Sequence, residues 1–255
     1  AGGRGTRYDE LLRRMRPAVA AYLRSLHRRT RATMVPTAAL AADLAGEGLS
    51  GVRVVGRGVD AELFDPARRN PGLRKRWGVA DEGPVCLYVG RLAPEKNLAL
   101  VERSFAAIQV WHPQARMVWV GGGPSAKQLA ADHPDHHFAG MRTGADLAAH
   151  YASADLFLFP SLTETYGNVT AEAMASALPV LAYRSAAAAE LIVDGVNGRL
   201  VAPGDEEGFR QAALDMLAQA DLLPAMGRAA RQTMRAHHWG TVVERFESVL
   251  CEAIG

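Results

Sequence analysis

The sequence predicts an α/β protein built on a Rossmann-like parallel sheet with helices on both faces. From Pro84 onward, short apolar runs such as "VCLYV" and "LFLF" alternate with longer segments whose apolar residues recur at helical spacing. The short runs are apolar throughout rather than at every second position, which is typical of strands covered on both sides. Because ligands of such sheets bind beyond the carboxyl ends of the strands, a functional site is expected in the loops that follow them.

The first 65 residues predict the end of one domain. A helix is expected over residues 8–31, with a restart at Pro17, and a short strand follows in "ATMVP". Thr37 is a suitable N-cap for a helix in "AALAADLAGEG", and "VRVVGRG" is a second strand. This order indicates a last strand-helix-strand unit, after which "VDAELFDP" crosses to the next domain.

A second series of elements is expected from Pro66 onward. In the first of its longer helices, Leu98, Val101, Phe105 and Ile108 recur at helical spacing. Two or three further helices finish the chain. Strands are expected in "PVCLYVG", "ARMVWVGGG", "HHFAG", "DLFLFPS", "PVLAY" and "GRLVAPGD", and the intervening helices in "NLALVERSFAAIQVWHP", "SAKQLAADH", "GADLAAHYASA", "NVTAEAMASA" and "AAAAELIVDG".

Composition excludes several classes of protein. The chain has 29 Lys and Arg against 27 Asp and Glu, a net charge of +2 that is too balanced for a nucleic-acid binder. Its two cysteines lie far apart, which fits a reducing compartment, and no apolar run reaches membrane-spanning length. The polar opening "AGGRGTRYDE" has neither a signal peptide nor an initiator Met, which fits a fragment or a trimmed product. We therefore expect a cytoplasmic protein.

The loop "GRLAPEKN" after the first strand of the second series predicts an anion site. Gly90 lets the backbone turn, and Arg91 and Lys96 bracket a loop that precedes a helix. Arg91 can grip two phosphate oxygens, whereas Lys96 acts as a point charge. The alternative is that both are solvated surface charges.

The next such loop, "GGGPSAKQL", is rich in glycine, so that a ligand could approach the backbone of Gly122 and Gly123 closely. It lacks a G-x-G-x-x-G pattern, because Ala126 occupies the last place, and it lacks the lysine of a P-loop. The loop therefore does not indicate nicotinamide binding or ATP hydrolysis.

The stretch "SLTETYGNVTAEAMASALPV" places Glu164 and Glu172 seven residues apart around a helix start. Asn168 is the expected N-cap, and both acids would face one cleft with the free backbone N–H groups of residues 167–170 between them. Carboxylates accept paired hydrogen bonds from sugar hydroxyls, and N–H groups suit a phosphate. The stretch therefore indicates a nucleotide sugar, and the alternative is a capping acid beside a surface acid.

Two other motifs are weaker. "DHPDHH", residues 132–137, resembles a metal-ligand cluster but is better explained as a polar turn, so no metal site is expected. A Ser-His-Asp hydrolase is excluded by the lack of a G-x-S-x-G elbow.

Five segments, in this order along the chain, resemble the retaining glycosyltransferases of the GT-B fold, family 4 (group 1), which use nucleotide sugars. They are "GRGVDAELFDP", "YVGRLAPEKNL", "WVGGGPSAKQL", "YASADLFLFPSLTETYGNVTAEAMASALPV" and "VNGRLVAPGD". The resemblance implies a donor-binding Rossmann-like domain over residues 61–238. Residues 1–60 would be a remnant of the acceptor-binding N-terminal domain with the crossing linker, and residues 239–255 a helix packing back toward the N-terminal part.

The resemblance also implies roles for single residues. Arg91 and Lys96 would hold the donor diphosphate and stabilise its charge as it leaves, and Glu164 would contact hydroxyls of the donor sugar. Glu172 would bind the nucleotide ribose. The donor, GDP-mannose or UDP-glucose, would need neither a metal nor a separate cofactor. The remaining donor-binding positions would be Gly90, Gly122, Gly123, Tyr166, Gly167, Asn168 and Val169.

Within the family, "RGVDAELFDP" and "AYRSAAAAE" look most like bacterial mannosyl- or glucosyltransferases that act on lipid acceptors. The expected acceptor is a lipid or a glycan. The basic first helix, with Val19, Leu23 and Leu26 on one side, would lie peripherally at the inner membrane face, and its alternative is a solvated domain face.

The chain departs from the family pattern in three places. Most of the N-terminal domain is absent, Gly5 stands where this subgroup has a His, and Ala177 stands where the family commonly has Gly, which would crowd a helix end. The first two departures leave open a non-catalytic nucleotide-sugar binding module. A third possibility is a Rossmann-like protein of another class, such as a sugar-nucleotide epimerase, against which the missing dinucleotide fingerprint argues.

Overall fold

The computed structural model describes residues 5–27, 29–79 and 83–254, with only the backbone described for residues 5–14 and 16. The chain forms two compact units. The larger contains residues 57–241, and the smaller contains the described residues up to 56 together with those from 242 to 254. The assignment of donor and acceptor roles to separate domains stays a prediction.

The smaller unit contains a short parallel pair of strands. Helix α1 (Gly5–His27) is followed by β1 (Thr33–Val35), α2 (Ala38–Gly46) and β2 (Val52–Val54). The hydroxyl of Thr37 accepts a hydrogen bond from the N–H of Leu40 at 3.2 Å, which confirms Thr37 as the N-cap of α2. The expected restart at Pro17 is wrong, because α1 runs through that residue and ends at His27. A proline removes one backbone hydrogen bond, which a long helix can tolerate.

The larger unit is a six-stranded sheet in which all neighbouring strands are parallel, in the order β5-β4-β3-β6-β7-β8. Its strands are β3 (Val85–Val89), β4 (Arg116–Val120), β5 (His137–Gly140), β6 (Leu156–Phe159), β7 (Val180–Tyr183) and β8 (Arg199–Val201). Its helices are α3 (Pro71–Arg76), α4 (Leu98–Trp111), α5 (Ala126–Asp132), α6 (Gly144–Ser153), α7 (Asn168–Ala175), α8 (Ala186–Leu191), α9 (Glu206–Ala218) and α10 (Leu223–Met234), and α11 (Trp239–Ile254) begins in this unit.

The core confirms the predicted α/β class. Every residue of β3 is buried, and so is every residue of β6 and β7, which explains why these strands are apolar without alternation. Helix α4 buries all four residues that set its predicted period and packs against α9, while α7 packs against α10. The sheet is thus flanked by helices.

The strand order fixes where a ligand can bind. β3 pairs with both β4 and β6, and from this centre the chain progresses through β4 and β5 on one side and through β6, β7 and β8 on the other. The loops that leave the carboxyl ends of β3 and β6 therefore diverge and leave a crevice between them.

Ala177 ends α7 in a left-handed conformation, with a φ of 56°. The N–H of Leu178 bonds to the carbonyl of Ala173 and that of Ala177 to the carbonyl of Met174, both at 3.0 Å, which is the hydrogen-bond pattern of a Schellman motif. The effect of this alanine is therefore backbone strain rather than the crowding expected from the sequence.

Candidate functional site

A cleft of about 590 Å³ lies at the carboxyl ends of β3 and β6, where the two loops diverge. Eight of the eleven residues that the sequence singles out line this cleft, and Gly122, Gly123 and Glu172 do not. The eight are Gly90, Arg91, Lys96, Glu164, Tyr166, Gly167, Asn168 and Val169.

An ion pair joins the two loops across the cleft. The Nζ atom of Lys96, from the loop after β3, lies 2.5 Å from Oε1 of Glu164, from the loop after β6. Both side chains are largely buried, at 16% and 17% exposure. The hydroxyl of Ser161, itself buried, donates to the same Oε1 atom at 2.7 Å, which leaves Oε2 as the less engaged oxygen. The carboxylate is thus held from two sides, and the cation is already partly neutralised.

Arg91 is arranged differently. Its side chain is 65% exposed, and its guanidinium lies 3.6 Å from the carboxylate of Glu95, four residues further along the chain. Such an exposed pair contributes little to stability, so Arg91 can leave it for an anion at small cost. The backbone beneath it is fixed, because the hydroxyl of Tyr88 donates to the carbonyl of Arg91 at 3.2 Å.

The helix α7 points its amino end at the cleft. The expected N-cap at Asn168 is wrong, because α7 begins at Asn168 and the capping position belongs to Gly167, whose φ is 88°. Glycine adopts this left-handed conformation without penalty, which lets the chain turn sharply into the helix. Within the described residues, no side chain caps the first turn of α7. Its amino end is therefore suited to an anion.

A third cation, Arg57, lines the cleft and was not expected from the sequence. Its carbonyl accepts a hydrogen bond from the buried Tyr166 hydroxyl at 3.3 Å, and this contact ties the start of the larger unit to the loop before α7. The only sequence signal for it is its place in "GRGVD", after a strand.

Glu172 lies outside the lining of the cleft that holds Glu164, so the structure does not bring the two acids to one cavity wall. Its Oε2 atom accepts a hydrogen bond from the hydroxyl of Tyr151 on α6 at 2.9 Å. Burial raises the pKa of Glu172, and the hydrogen bond from Tyr151 acts in the opposite direction. Tyr151 and Ser161 were both missed from the sequence, since neither carries a local motif.

The glycines after β4 have a packing role that the sequence did not reveal. A Cβ atom at Gly121 would lie 1.9 Å from the carbonyl oxygen of Gly90, and one at Gly123 would lie 2.3 Å from that of Leu92. The N–H of Leu92 also bonds to the carbonyl of Gly122 at 2.9 Å. These glycines therefore let the loop after β4 support the loop that carries Arg91, and close approach of a ligand to them stays a prediction.

The histidines of "DHPDHH" make structural contacts. The indole N–H of Trp119 donates to Nδ1 of His136 at 3.2 Å, and the rings of His133 and His136 stack with centroids 4.6 Å apart. Burial and the neighbouring His133 lower the pKa of His136 to about 4. Among the described residues, no group of three or more His, Cys, Asp or Glu side chains is arranged to hold a metal ion.

Comparisons with known proteins point to one family. The family profile described as glycosyl transferases group 1 matches residues 83–219, more than half of the chain. The chain is 34% identical over 227 residues to the sulfoquinovosyl transferase SQD2 of Arabidopsis thaliana, which covers 85% of this chain and 44% of that protein. It is 35% identical over 227 residues to a GDP-mannose-dependent alpha-mannosyltransferase of Mycobacterium tuberculosis, with 89% and 58% covered. The chain thus spans about half the length of these curated relatives.

A solved structure shows the same fold. The HepE protein of Anabaena, crystallised in complex with UDP and glucose, superimposes with a TM-score of 0.76 at 22% identity, over 91% of this chain and 66% of that one. At this identity the likeness speaks for the fold alone, and it agrees with the predicted GT-B class. The profile match and the relatives above 30% identity together show that the chain belongs to the group 1 glycosyl transferases.

Proposed function

We propose that the protein is the donor-binding part of a retaining glycosyltransferase that moves a hexosyl group, mannose or glucose, from a nucleotide diphosphate sugar to a lipid or glycan acceptor. The observation that carries the proposal is the cleft itself. It combines three cations, the uncapped amino end of α7 and a carboxylate fixed by Ser161 and Lys96 at the switch point of a parallel sheet.

In this proposal each group has a separate role. Arg91, Lys96 and the amino end of α7 bind the diphosphate, whose negative charge grows as the bond to the sugar breaks. Fixed cations and N–H groups that stabilise this developing charge lower the barrier. Glu164 accepts hydrogen bonds from sugar hydroxyls through its less engaged Oε2 atom. The sugar carbon exchanges its bond to the diphosphate for a bond to the acceptor oxygen, whose proton passes to the departing diphosphate.

The proposal favours GDP-mannose as the donor. The supporting observation is that the Mycobacterium tuberculosis relative is named for GDP-mannose. UDP-glucose, the other donor that the family resemblance implies, is the second candidate.

The test is donor binding by calorimetry with single variants. We expect Arg91→Ala and Lys96→Ala each to weaken binding of GDP-mannose about tenfold or more, since a charge-assisted hydrogen bond contributes about 1.5–3 kcal/mol. Arg103→Ala is the matched control, because Arg103 is an exposed arginine that pairs with Glu206 outside the cleft. Unchanged affinity in both cleft variants, or an equal loss in the control, would contradict the proposal.

A measurement of turnover distinguishes the proposed transferase from the alternative function, a non-catalytic nucleotide-sugar binding module. The chain joined to a complete N-terminal half is expected to transfer the sugar or hydrolyse the donor. Donor binding without turnover in the joined protein would favour the module.

We also propose that α1 contacts a membrane surface. Met15, Val19, Tyr22, Leu23 and Leu26 are exposed and recur along one side of this helix, and the sequence "RRMR" adds basic residues. Such a helix lies in the interface of an anionic bilayer. None of the helices in the described part of the chain has the length and apolar character needed to cross a membrane.

Vesicle sedimentation tests this contact. Binding to vesicles with anionic lipid, lost in a Val19→Glu, Leu23→Glu variant and absent from neutral vesicles, is the expected result. Equal binding by the variant would refute the role of α1.

A further inference from the structure

Tyr151 is packed between two aromatic rings and bonded to Glu172. It lies near the end of α6 and is fully buried. Its ring packs edge-on against Phe64 and Phe157, with centroid distances of 5.8 and 5.7 Å. A ring fixed on two sides leaves its hydroxyl little freedom, and that hydroxyl donates to Oε2 of Glu172 at 2.9 Å.

The bond divides the Glu172 carboxylate into two unequal oxygens. In the part of the chain that the structure describes, hydrogen bonding engages Oε2, so Oε1 is the oxygen left for a ligand. Because α7 carries both Glu172 and the amino end that faces the cleft, the orientation of this carboxylate is set relative to the rest of the site.

We propose that Tyr151 is a positioning residue that orients the Glu172 carboxylate for the hydroxyl groups of the donor nucleotide. This inference rests on the proposed function and on the ribose-binding role that the family resemblance implies for Glu172. Without the tyrosine hydroxyl the carboxylate would rotate among several orientations, and ordering it would reduce the affinity for the ligand.

The surroundings of Glu172 link this role to pH. Tyr151 from α6 donates its hydrogen bond to Glu172, and Tyr88 of β3 adds to the rise in the pKa of Tyr151. Arg231 from α10 reaches the carbonyl of Ala175 at the other end of α7. Burial raises the pKa of Tyr151, so its hydroxyl stays a donor. That donation lowers the pKa of Glu172, and removing it would let the effect of burial raise that pKa further.

The experiment is calorimetric titration of the chain with GDP and with GDP-mannose over a pH series. Tyr151→Phe is expected to weaken GDP binding about tenfold, the order of one hydrogen bond to a charged group. In this variant, binding of GDP should begin to weaken at a higher pH than in the wild type as the pH is lowered. Tyr183→Phe is the matched control, because Tyr183 is also buried and packs against Phe209. Neither Glu164 nor Glu172 is among the groups that shift the pKa of Tyr183.

Two further variants separate positioning from a purely structural effect. In Glu172→Gln this weakening of GDP binding at low pH should disappear, and adding Tyr151→Phe to it should cost little more, since the two residues act as one unit. Glu172→Asp keeps the negative charge but moves it away from Tyr151, so it should lose as much affinity for GDP as Glu172→Gln. This variant replaces Tyr151→Phe in the test if Tyr151→Phe does not fold.

Four results would overturn the inference. The first three are wild-type affinity with an unchanged pH dependence in Tyr151→Phe, full additivity with Glu172→Gln, and wild-type binding by Glu172→Asp. The fourth is wild-type GDP binding by Glu172→Gln, which would mean that Glu172 does not bind the ligand. The proposed function is tested separately, by the Arg91→Ala and Lys96→Ala variants.

Discussion

Ala177 offers a quantitative test of the fold. It occupies the position after the C-cap of α7 with a φ of 56°, in a hydrogen-bonded Schellman motif. A residue with a Cβ atom pays about 1–2 kcal/mol in this conformation, whereas glycine loses about 0.5–1 kcal/mol more entropy on folding. Ala177→Gly should therefore stabilise the protein by about 0.5–1 kcal/mol.

Thermal unfolding measures the effect. A gain of this size should raise the Tm by about 1–4 °C for a unit of this length. Ala175→Gly is the matched control, because Ala175 is the last helical residue of α7 and is buried. There glycine should destabilise by about 1 kcal/mol or more. A lower Tm for Ala177→Gly than for the wild type would refute the strain argument.

Two other outcomes follow from the structure. Gly121→Ala should destabilise the protein by about 3 kcal/mol, since its Cβ would lie 1.9 Å from the Gly90 carbonyl oxygen at a φ of 134°. Urea unfolding measures this loss, and Gly122→Ala is the control, because its Cβ would meet only the Met141 side chain at 3.6 Å. Equal losses of stability in the two variants would contradict the prediction. The lowered pKa of His136, about 4, means that the unfolded chain binds a proton there first, so stability should fall as the pH drops from the ordinary histidine range toward 4. The His136→Asn variant should lose less stability than the wild type over this pH range. If the pH dependence of urea unfolding is the same in that variant, His136 is not the group responsible.

The sheet was predictable because its strands are covered on both faces. Runs such as residues 85–89 are apolar at every position, and all of them are buried in the structure. The loops after β3 and β6 were also predictable, since parallel strands bring their carboxyl ends together. The local capping chemistry was predicted at Thr37, where a side chain accepts the bond, but not at Gly167, where backbone conformation takes the place of a side chain.

Contacts between distant residues were beyond a reading of local patterns. Tyr151 and Glu172 are 21 residues apart, and Tyr166 and Arg57 are 109 apart. Their pairing depends on how α6, α7 and the start of the larger unit pack, which no spacing rule encodes. The close contact between Gly121 and Gly90 is similar, because a glycine that serves a ligand and one that serves a neighbouring loop look the same in sequence.

The ion pair between Lys96 and Glu164 gives the proposed site a means of telling its donor from simpler anions. Any phosphate that draws Lys96 away leaves Glu164 with only the hydroxyl of Ser161 in a largely buried place, and an unpaired buried charge is costly. Inorganic phosphate offers that carboxylate no hydroxyl donors in return, whereas a sugar attached to the diphosphate would. Discrimination between inorganic phosphate and a nucleotide sugar would then depend on the carboxylate of Glu164 rather than on the cations of the cleft.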